Sequence, residues 1–340
     1  MSHPMTDAPA QNVGSPEIGS PALWIGFSAF VVAALLLDFL VFHRKSHEVR
    51  TRQAVAWVGL WVALAMVLVL VVRLQYGSEP SLQFLAGYLL EYALSVDNLF
   101  VFLVIFTYFK VPAVAKDRAL FLGILGSILL RGLFILVGSA LIHRFHFILY
   151  VFGAFLVFTG LKLLFTKGDE EMAIEHSPVI RLFRRFVPMV SAYHGDRFFI
   201  RDKHELRATP LLLVVAVLGV TDVIFATDSI PAIFGVTQDP FIIYSSNIFA
   251  VLGLRALFFV VSTMMTRFHL LKFGLALILA FIGVKMLIAD LYVFPFAGAL
   301  GIDHPLKIPI GVALGVVAAL LGLSVIGSLI FPAPEEPRPS

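Results

Sequence analysis

Two short phrases hold the residues able to do chemistry. Glu91-Tyr92-Ala93-Leu94-Ser95-Val96-Asp97-Asn98 lies in an apolar run from about Leu82 to Phe109. Asp222-Val223-Ile224-Phe225-Ala226-Thr227-Asp228-Ser229-Ile230-Pro231 lies in a second run, from about Leu211 to Val236. Each reads acid, five residues, Asp, small polar residue, aliphatic. Ionisable groups inside so apolar a run are costly to bury and mark a functional site by default. Glu91, Asp97, Asn98, Asp222, Asp228 and Ser229 are candidate ligands of a metal ion, with Ser95 and Thr227 as further neutral oxygens. Pro231 lacks an N–H and frees a backbone carbonyl one turn earlier, near Thr227. An oxygen-rich set suits a hard divalent cation, Mg²⁺, Ca²⁺ or Mn²⁺. All ten histidines fall in loops or at the ends of apolar runs, so a buried imidazole site for zinc or copper is not expected.

The elements that must position these groups are membrane-spanning helices. Of 340 residues, 59% are hydrophobic and 14% charged, against about 45–50% and about 25% in a soluble domain. Several runs reach the roughly 20 apolar residues needed to cross a bilayer. The alternation of barrel strands is absent, so the fold class is all-α, polytopic, with about nine spans. With no cysteine, disulfides, thiolate metal sites and Cys nucleophiles are excluded. The formal charge of +3 is no sign of nucleic acid, because the basic residues cluster in loops.

Residues 1–20 read as a disordered tail without the basic start of a signal peptide. Residues 21–166 hold spans 1–5, with Asp38 in span 1, Arg131 in span 4 and Lys162 in span 5. Residues 167–209 form a polar cytoplasmic loop. In it Val179, Leu182, Phe183, Phe186 and Val187 share one helical face opposite Arg181, Arg184 and Arg185, as in a helix lying on anionic lipid or packed on neighbouring loops. Residues 210–331 hold spans 6–9, with Asn247 and Arg255 in span 7 (about Phe241–Met265) and Lys285 in span 8. Gly311-x-x-x-Gly315 in span 9 suits close helix packing. Residues 332–340 are a polar tail. Outside the spans, eighteen Lys and Arg lie on the side of the C-terminus and three on the other. The excess puts the C-terminus in the cytoplasm and, with nine spans, the N-terminus outside.

Further echoes extend the repeated phrase. Arg131-Gly132-Leu133-Phe134 returns as Arg255-Ala256-Leu257-Phe258, Arg144-Phe145-His146 as Arg267-Phe268-His269, and Gly160-Leu161-Lys162 as Gly283-Val284-Lys285. Spans 3–5 therefore recur as spans 6–8, in inverted orientation, a common transporter design with the site at the repeat interface. Within one helix Glu91 and Asp97 stand about 9 Å apart along the axis and about 120° apart around it, too far to grip one ion together. If spans 3 and 6 cross near Leu94 and Phe225, Glu91 comes level with Asp228 and Asp97 with Asp222. One carboxylate of such a pair should hold a proton when no cation is present. The acids also face Arg131, Arg255, Lys162 and Lys285 as countercharges or gating groups. Buried ion pairs that fix helix register and bind nothing are the alternative. Lys162 and Lys285 lie near span ends, where snorkelling to the surface explains them equally. Asp38 is an accessory acid or an interfacial one.

Together with Ala208-Thr209-Pro210-Leu211 and Ser246-Asn247-Ile248-Phe249-Ala250-Val251-Leu252-Gly253-Leu254-Arg255-Ala256, the two acidic phrases resemble the TerC/Alx family of bacterial integral membrane proteins. The resemblance covers roughly residues 22–331. It implies manganese efflux and homeostasis, a historical link to tellurite resistance, a place among LysE-type exporters, and a bacterial inner-membrane location. It carries the functional role to Glu91, Asp97, Asp222 and Asp228. One position departs: where the family often has Glu three residues before the acid matching Asp222, this chain has Gly219.

The expected function is secondary export of a divalent metal ion, Mn²⁺ as the transported substrate, with proton exchange at the same carboxylates left open. No enzyme activity, resident cofactor or nucleic-acid partner is expected, and oligomeric state is not readable. A non-transporting partner in membrane-protein assembly or the tellurite response is the alternative. The topology has its own test. A reporter active only in the periplasm, fused at Gly168 or within residues 43–53, should be silent, whereas one active only in the cytoplasm should signal at both sites. Activity of the periplasmic reporter at Gly168 would reverse the orientation.

Overall fold

The computed structural model describes residues 18–43, 51–145, 147–165, 178–202, 205–264, 270–289, 306 and 308–331. The expected tails up to residue 17 and from 332, Arg267-Phe268-His269 and the whole loop 290–305 lie outside the described residues. The chain is a bundle of helices: α1 (Pro21–His43), α2 (Thr51–Tyr76), α3 (Ser78–Tyr108), α4 (Ala113–Arg144), α5 (Ile148–Phe165), α6 (Pro178–Phe186), α7 (Pro210–Phe234), α8 (Pro240–Leu252), α9 (Leu254–Met264), α10 (Leu271–Ala289) and α11 (Ile310–Ile330). Eight of them are long and apolar enough to cross a membrane, and the bent pair α8–α9 raises the number to nine. The protein is thus an all-α polytopic membrane protein.

Local signals set the breaks. α2 and α3 are joined by Gly77 alone, whose φ of 96° lies where only glycine is at ease. α3 ends in a Schellman turn: Lys110 N–H donates to Thr107 O and Val111 N–H to Phe106 O, each at 3.0 Å, with Lys110 at φ 49° where glycine is usual. Pro210 occupies the first turn of α7, where a missing N–H costs nothing. Asp239 caps α8 by accepting from Phe241 N and Ile242 N at 2.9 and 3.0 Å. Its other carboxylate oxygen accepts from Ile18 N at 2.8 Å. The expected span 7 is not one rod. It bends by 44° between Leu252 and Leu254.

α3 and α7 run antiparallel. At one end Thr237, just past α7, donates to Gln83 near the start of α3. At the other, Tyr193 Oη donates to Phe109 O at the end of α3, and Thr209 N, at the start of α7, donates to Phe198 O. The packing is reciprocal. α3 lies along α8, and α4 along α7, while α5 pairs with α10 most extensively of all. A Cβ at Gly160 would meet Ala276 O at 2.6 Å and Ala280 N at 2.8 Å. One at Gly283 would meet Gly153 O at 2.6 Å and Val157 N at 2.8 Å. The interval that carries Gly160 to Gly283 also carries Gly153 to Ala276 and Val157 to Ala280, so the seam reads alike from either helix. By contrast a Cβ at Gly311 or Gly315 would meet nothing within 4 Å. The expected packing role of that motif is wrong among the described residues, because α11 meets α10 through Gly274 against Ser324 instead.

The loop before α7 is more built than expected. Strands β1 (Phe199–Asp202) and β2 (Glu205–Ala208) pair antiparallel, Phe199 opposite Ala208. Arg118 holds Asp196 at 2.7 Å and lies 5.3 Å from the Phe198 ring centroid. Burial pushes the Tyr193 phenol above its ordinary pKa, which keeps its proton on the bond to Phe109 O. α6 forms, but Ile180 and Phe183 turn inward and Leu182 and Phe186 are exposed with Arg181 and Arg185. The expected single apolar face is therefore split, since the loop docks on the bundle through Ile180 and Phe183.

The seam makes a stability prediction. Gly283→Ala should lower the thermal midpoint of the detergent-purified protein, at an overpacking cost of about 1–3 kcal/mol. Gly315→Ala, whose new methyl meets nothing within 4 Å, should leave the midpoint unchanged or raise it. Equal midpoints for the two variants would mean that α5 and α10 do not pack as described.

Candidate functional site

The acids sort themselves around two arginines. Arg131, near the midpoint of α4, is completely buried. Its Nη1 donates to Glu91 Oε1 of α3 and lies 3.4 Å from Ser229 Oγ of α7. Its Nη2 lies 3.3 Å from Asp222 Oδ1 of α7, and its Nε donates to Ser127 Oγ at 3.1 Å. Neutral donors complete the shell. Ser95 Oγ donates to Glu91 Oε1 at 3.2 Å, Asn247 Nδ2 of α8 to Glu91 Oε2 at 2.8 Å, and Ser127 Oγ to Asp222 Oδ2 at 2.7 Å. Glu91 and Asp222 are both buried, and both lie near the middle of their helices. With both acids ionised, one guanidinium leaves a formal charge of −1 that three neutral donors share.

Four helices have to agree to build this. Gly87, whose Cβ would meet Ser246 Oγ at 2.8 Å, lets α8 approach α3 one turn before Glu91. Leu218 of α7 packs over Gly123 of α4, one turn below the Ser127–Asp222 bond. Ser127 and Arg131 are four residues apart, hence on one face of α4.

The expected levels are overturned. Glu91 does not meet Asp228, nor does Asp97 meet Asp222: the corresponding acids of the two phrases, Glu91 and Asp222, share Arg131. One guanidinium can serve two carboxylates only if they lie level, so the antiparallel helices cross at the first acid of each phrase. Asp97 and Asp228 then fall about 9 Å away on opposite sides and about 120° around their helices. Nor is a shared proton needed between Glu91 and Asp222, since Arg131 supplies the positive charge.

The remaining candidates go elsewhere. Asp228 is half-buried, accepts from Thr159 and faces Lys162, both on α5. Asp97 is half-buried. Asn98 is buried, and its Nδ2 has no hydrogen-bond partner among the described residues, as is true of Tyr88 Oη and Asn247 Oδ1. Thr227 points outward and bonds Ile224 O. Lys285 Nζ donates to Gly235 O at 3.0 Å and caps the C-terminus of α7. Asp38 joins a second cluster. Arg255, in the first turn of α9, binds Asp38 Oδ2 at 2.7 Å and takes Asp117 of α4 through Nε at 2.8 Å and through Nη2. A cation at a helix N-terminus is disfavoured by the dipole, and two carboxylates offset that.

Sequence reasoning missed Ser127, Asp117 and Thr159. The spacing of Ser127 to Arg131 was a usable signal for the first. Asp117, between Lys116 and Arg118, looked like ordinary loop charge, and Thr159 like one more residue of an apolar span. No group of three or more His, Asp or Glu converges as a ready metal cage among the described residues. In the arrangement seen, the guanidinium stands where a cation shared by Glu91 and Asp222 would stand.

Residues 76–334 match the model of the integral membrane protein TerC family. A membrane protein of Myxococcus xanthus, STKORF319, is 46% identical over 315 residues, spanning 93% of this chain and 94% of the relative. A protein of Escherichia coli K12 that carries the name membrane-bound redox modulator Alx is 46% identical over 294 residues, 84% of this chain and 91% of its own. Its counterpart in Photorhabdus laumondii is 43% identical over 319 residues, 91% and 95% of the two chains. No solved structure matches. With the family's pattern spanning most of its length and relatives matched nearly end to end, the chain belongs to the TerC family of integral membrane proteins.

Proposed function

We propose that the chain is a secondary transporter that exports a hard divalent cation, Mn²⁺ first, across the bacterial inner membrane, with its N-terminus outside and its C-terminus in the cytoplasm. The observation that carries this is the meeting of Glu91 and Asp222, corresponding acids of two repeated phrases, in a buried cluster at mid-helix. Around them stand Ser95, Ser127 and Ser229 hydroxyls and the Asn247 amide, all oxygen donors to a cation, with no thiolate or imidazole. Such donors favour Mn²⁺, Mg²⁺ or Ca²⁺ over Zn²⁺ or Cu²⁺. The reciprocal packing of α3–α5 with α7–α10 supports the inverted repeat that alternating access uses. Asp97, Asn98 and Asp228 then lie along the route to either side, with Lys162 beside Asp228. The relatives' name speaks of a redox effect. This chain has no cysteine, so such an effect here would follow from the ion it moves, not from a thiol of its own.

Manganese content measured in cells that lack other exporters, under manganese load, tests the reading. Wild type should lower it. Glu91→Gln and Asp222→Asn should each abolish most of that effect at normal protein abundance, and the double variant should be no worse than either, because the pair acts as a unit. Asp196→Asn, in the surface pair with Arg118, should transport normally. Full efflux by either single variant would sink the proposal.

A further inference from the structure

We infer that Arg131 is a tethered cation that occupies the transport site whenever the cargo is absent, so that the unloaded carrier returns with Glu91 and Asp222 neutralised from within the protein and any coupling ion acts at another group. The inference rests on the reading of Glu91 and Asp222 as cargo ligands.

The geometry leaves one place for a cation that both acids can hold. Arg131 fills it, touching Glu91, Asp222, Ser127 and Ser229 at once. No group of three or more His, Asp or Glu converges among the described residues, and Arg131 lies between the two acids, so a divalent ion that takes both carboxylates takes the guanidinium's position. Arginine cannot vacate by losing a proton, because its guanidinium stays charged under all ordinary conditions. It must leave as a cation, by swinging aside.

Charge keeps both end states of the exchange lower in cost than the empty site between them. With both acids ionised, the cluster carries −1 with Arg131 in place. It carries zero with a divalent ion in place and the arginine withdrawn. It would carry −2 with neither, and burying such uncompensated charge in low dielectric costs several kcal/mol. The two low-cost states are therefore cargo-bound and arginine-bound, and the empty, uncompensated state is avoided. In an exchanger that lacks a tethered charge, a returning proton or second metal ion would have to neutralise the carboxylates. Here Arg131 does so.

Asn247 gives an independent sign that the arginine-bound arrangement is only one of two. The residue is fully buried, its Nδ2 holds Glu91 Oε2, and its Oδ1 has no hydrogen-bond partner among the described residues. A buried acceptor without a donor is costly. Arg131 does not satisfy it, and a cation held by Glu91 would favour the flipped amide, with Oδ1 in place of Nδ2 on the side of that acid.

Purified protein in liposomes distinguishes the possibilities by comparing net Mn²⁺ flux out of loaded vesicles with one-for-one exchange of labelled for unlabelled Mn²⁺. In Arg131→Gln, exchange should persist while net flux falls at least about tenfold, because only net flux needs the empty carrier to return. Equilibrium Mn²⁺ binding should tighten about 10- to 100-fold, as expected if the arginine holds the site about 90–99% of the time. Arg131→Lys covers the case in which the glutamine variant does not fold. Its narrower ammonium reaches one carboxylate, so Mn²⁺ should bind more tightly than to wild type while net flux continues. Net flux and exchange falling together in Arg131→Gln, or Mn²⁺ binding no more tightly to Arg131→Lys than to wild type, overturns the inference and leaves Arg131 a structural counter-ion. Wild-type vesicles that carry Mn²⁺ in neither mode overturn the transport reading too, an outcome that does not involve the Arg131 variants.

Discussion

The rest of the molecule depends on one three-body interaction: two carboxylates and a guanidinium, all withdrawn from water near the middle of their helices. Breaking one partner of such a buried set costs about 3–5 kcal/mol, because the others stay behind unpaired. The set is therefore a strong constraint on register even if its net worth against an apolar core is small. Glu91 sets the depth of α3, Asp222 that of α7, and Arg131 with Ser127 that of α4, while Asn247 adds α8. Polar geometry locates the helices here, and apolar packing fills in around it.

Around that centre the small residues decide how near the helices come. Hydrophobic burial gives little preference between one neighbour and another when lipid tails are as apolar as leucine, so contact area and backbone approach matter more. Gly160 and Gly283 bring α5 and α10 into backbone contact, and Gly87 makes room for the Ser246 side chain of α8 against α3. The result is an outer pair that is tightly interlocked beside a central group joined through polar contacts. Polar contacts can exchange one partner for another without a cavity opening, which glycine-packed backbones cannot do.

Much of this was legible in the residues alone. Apolar runs of bilayer length announced the spans, and two of the acids repeated inside them, Glu91 and Asp222, lie in the buried cluster around Arg131. The 3.6-residue period showed that Glu91 and Asp97 could not share an ion. What it could not show was the depth at which two helices cross, because periodicity fixes a face and not a level. Glu91 was therefore expected opposite Asp228, and only the reach of Arg131 reveals that it lies opposite Asp222. Glycine motifs mislead for a similar reason: Gly311 and Gly315 have the spacing for close packing but face open space, while Gly160 and Gly283 were noticed only as marks of a repeat. The hairpin of β1 and β2 hides in a charged loop, since pairing partners three to nine residues apart leave little pattern in so short a segment.

α1 has a consequence of its own. It rests on α8 through Trp24, Phe27 and Phe30 against Phe241, Tyr244 and Phe249. It is also pinned at both ends. Asp239, at the start of α8, holds Ile18, and Arg255, just beyond the 44° bend, holds Asp38. A helix hardly stretches, so α1 works as a splint across a joint. The bend between α8 and α9 can neither straighten nor sharpen unless one pin slips, and the apolar aromatic contacts between the pins tolerate sliding better than either pin does. The first helix, though little embedded in the bundle, thereby sets the angle at which Asn247 on one side of the joint and Arg255 on the other are presented.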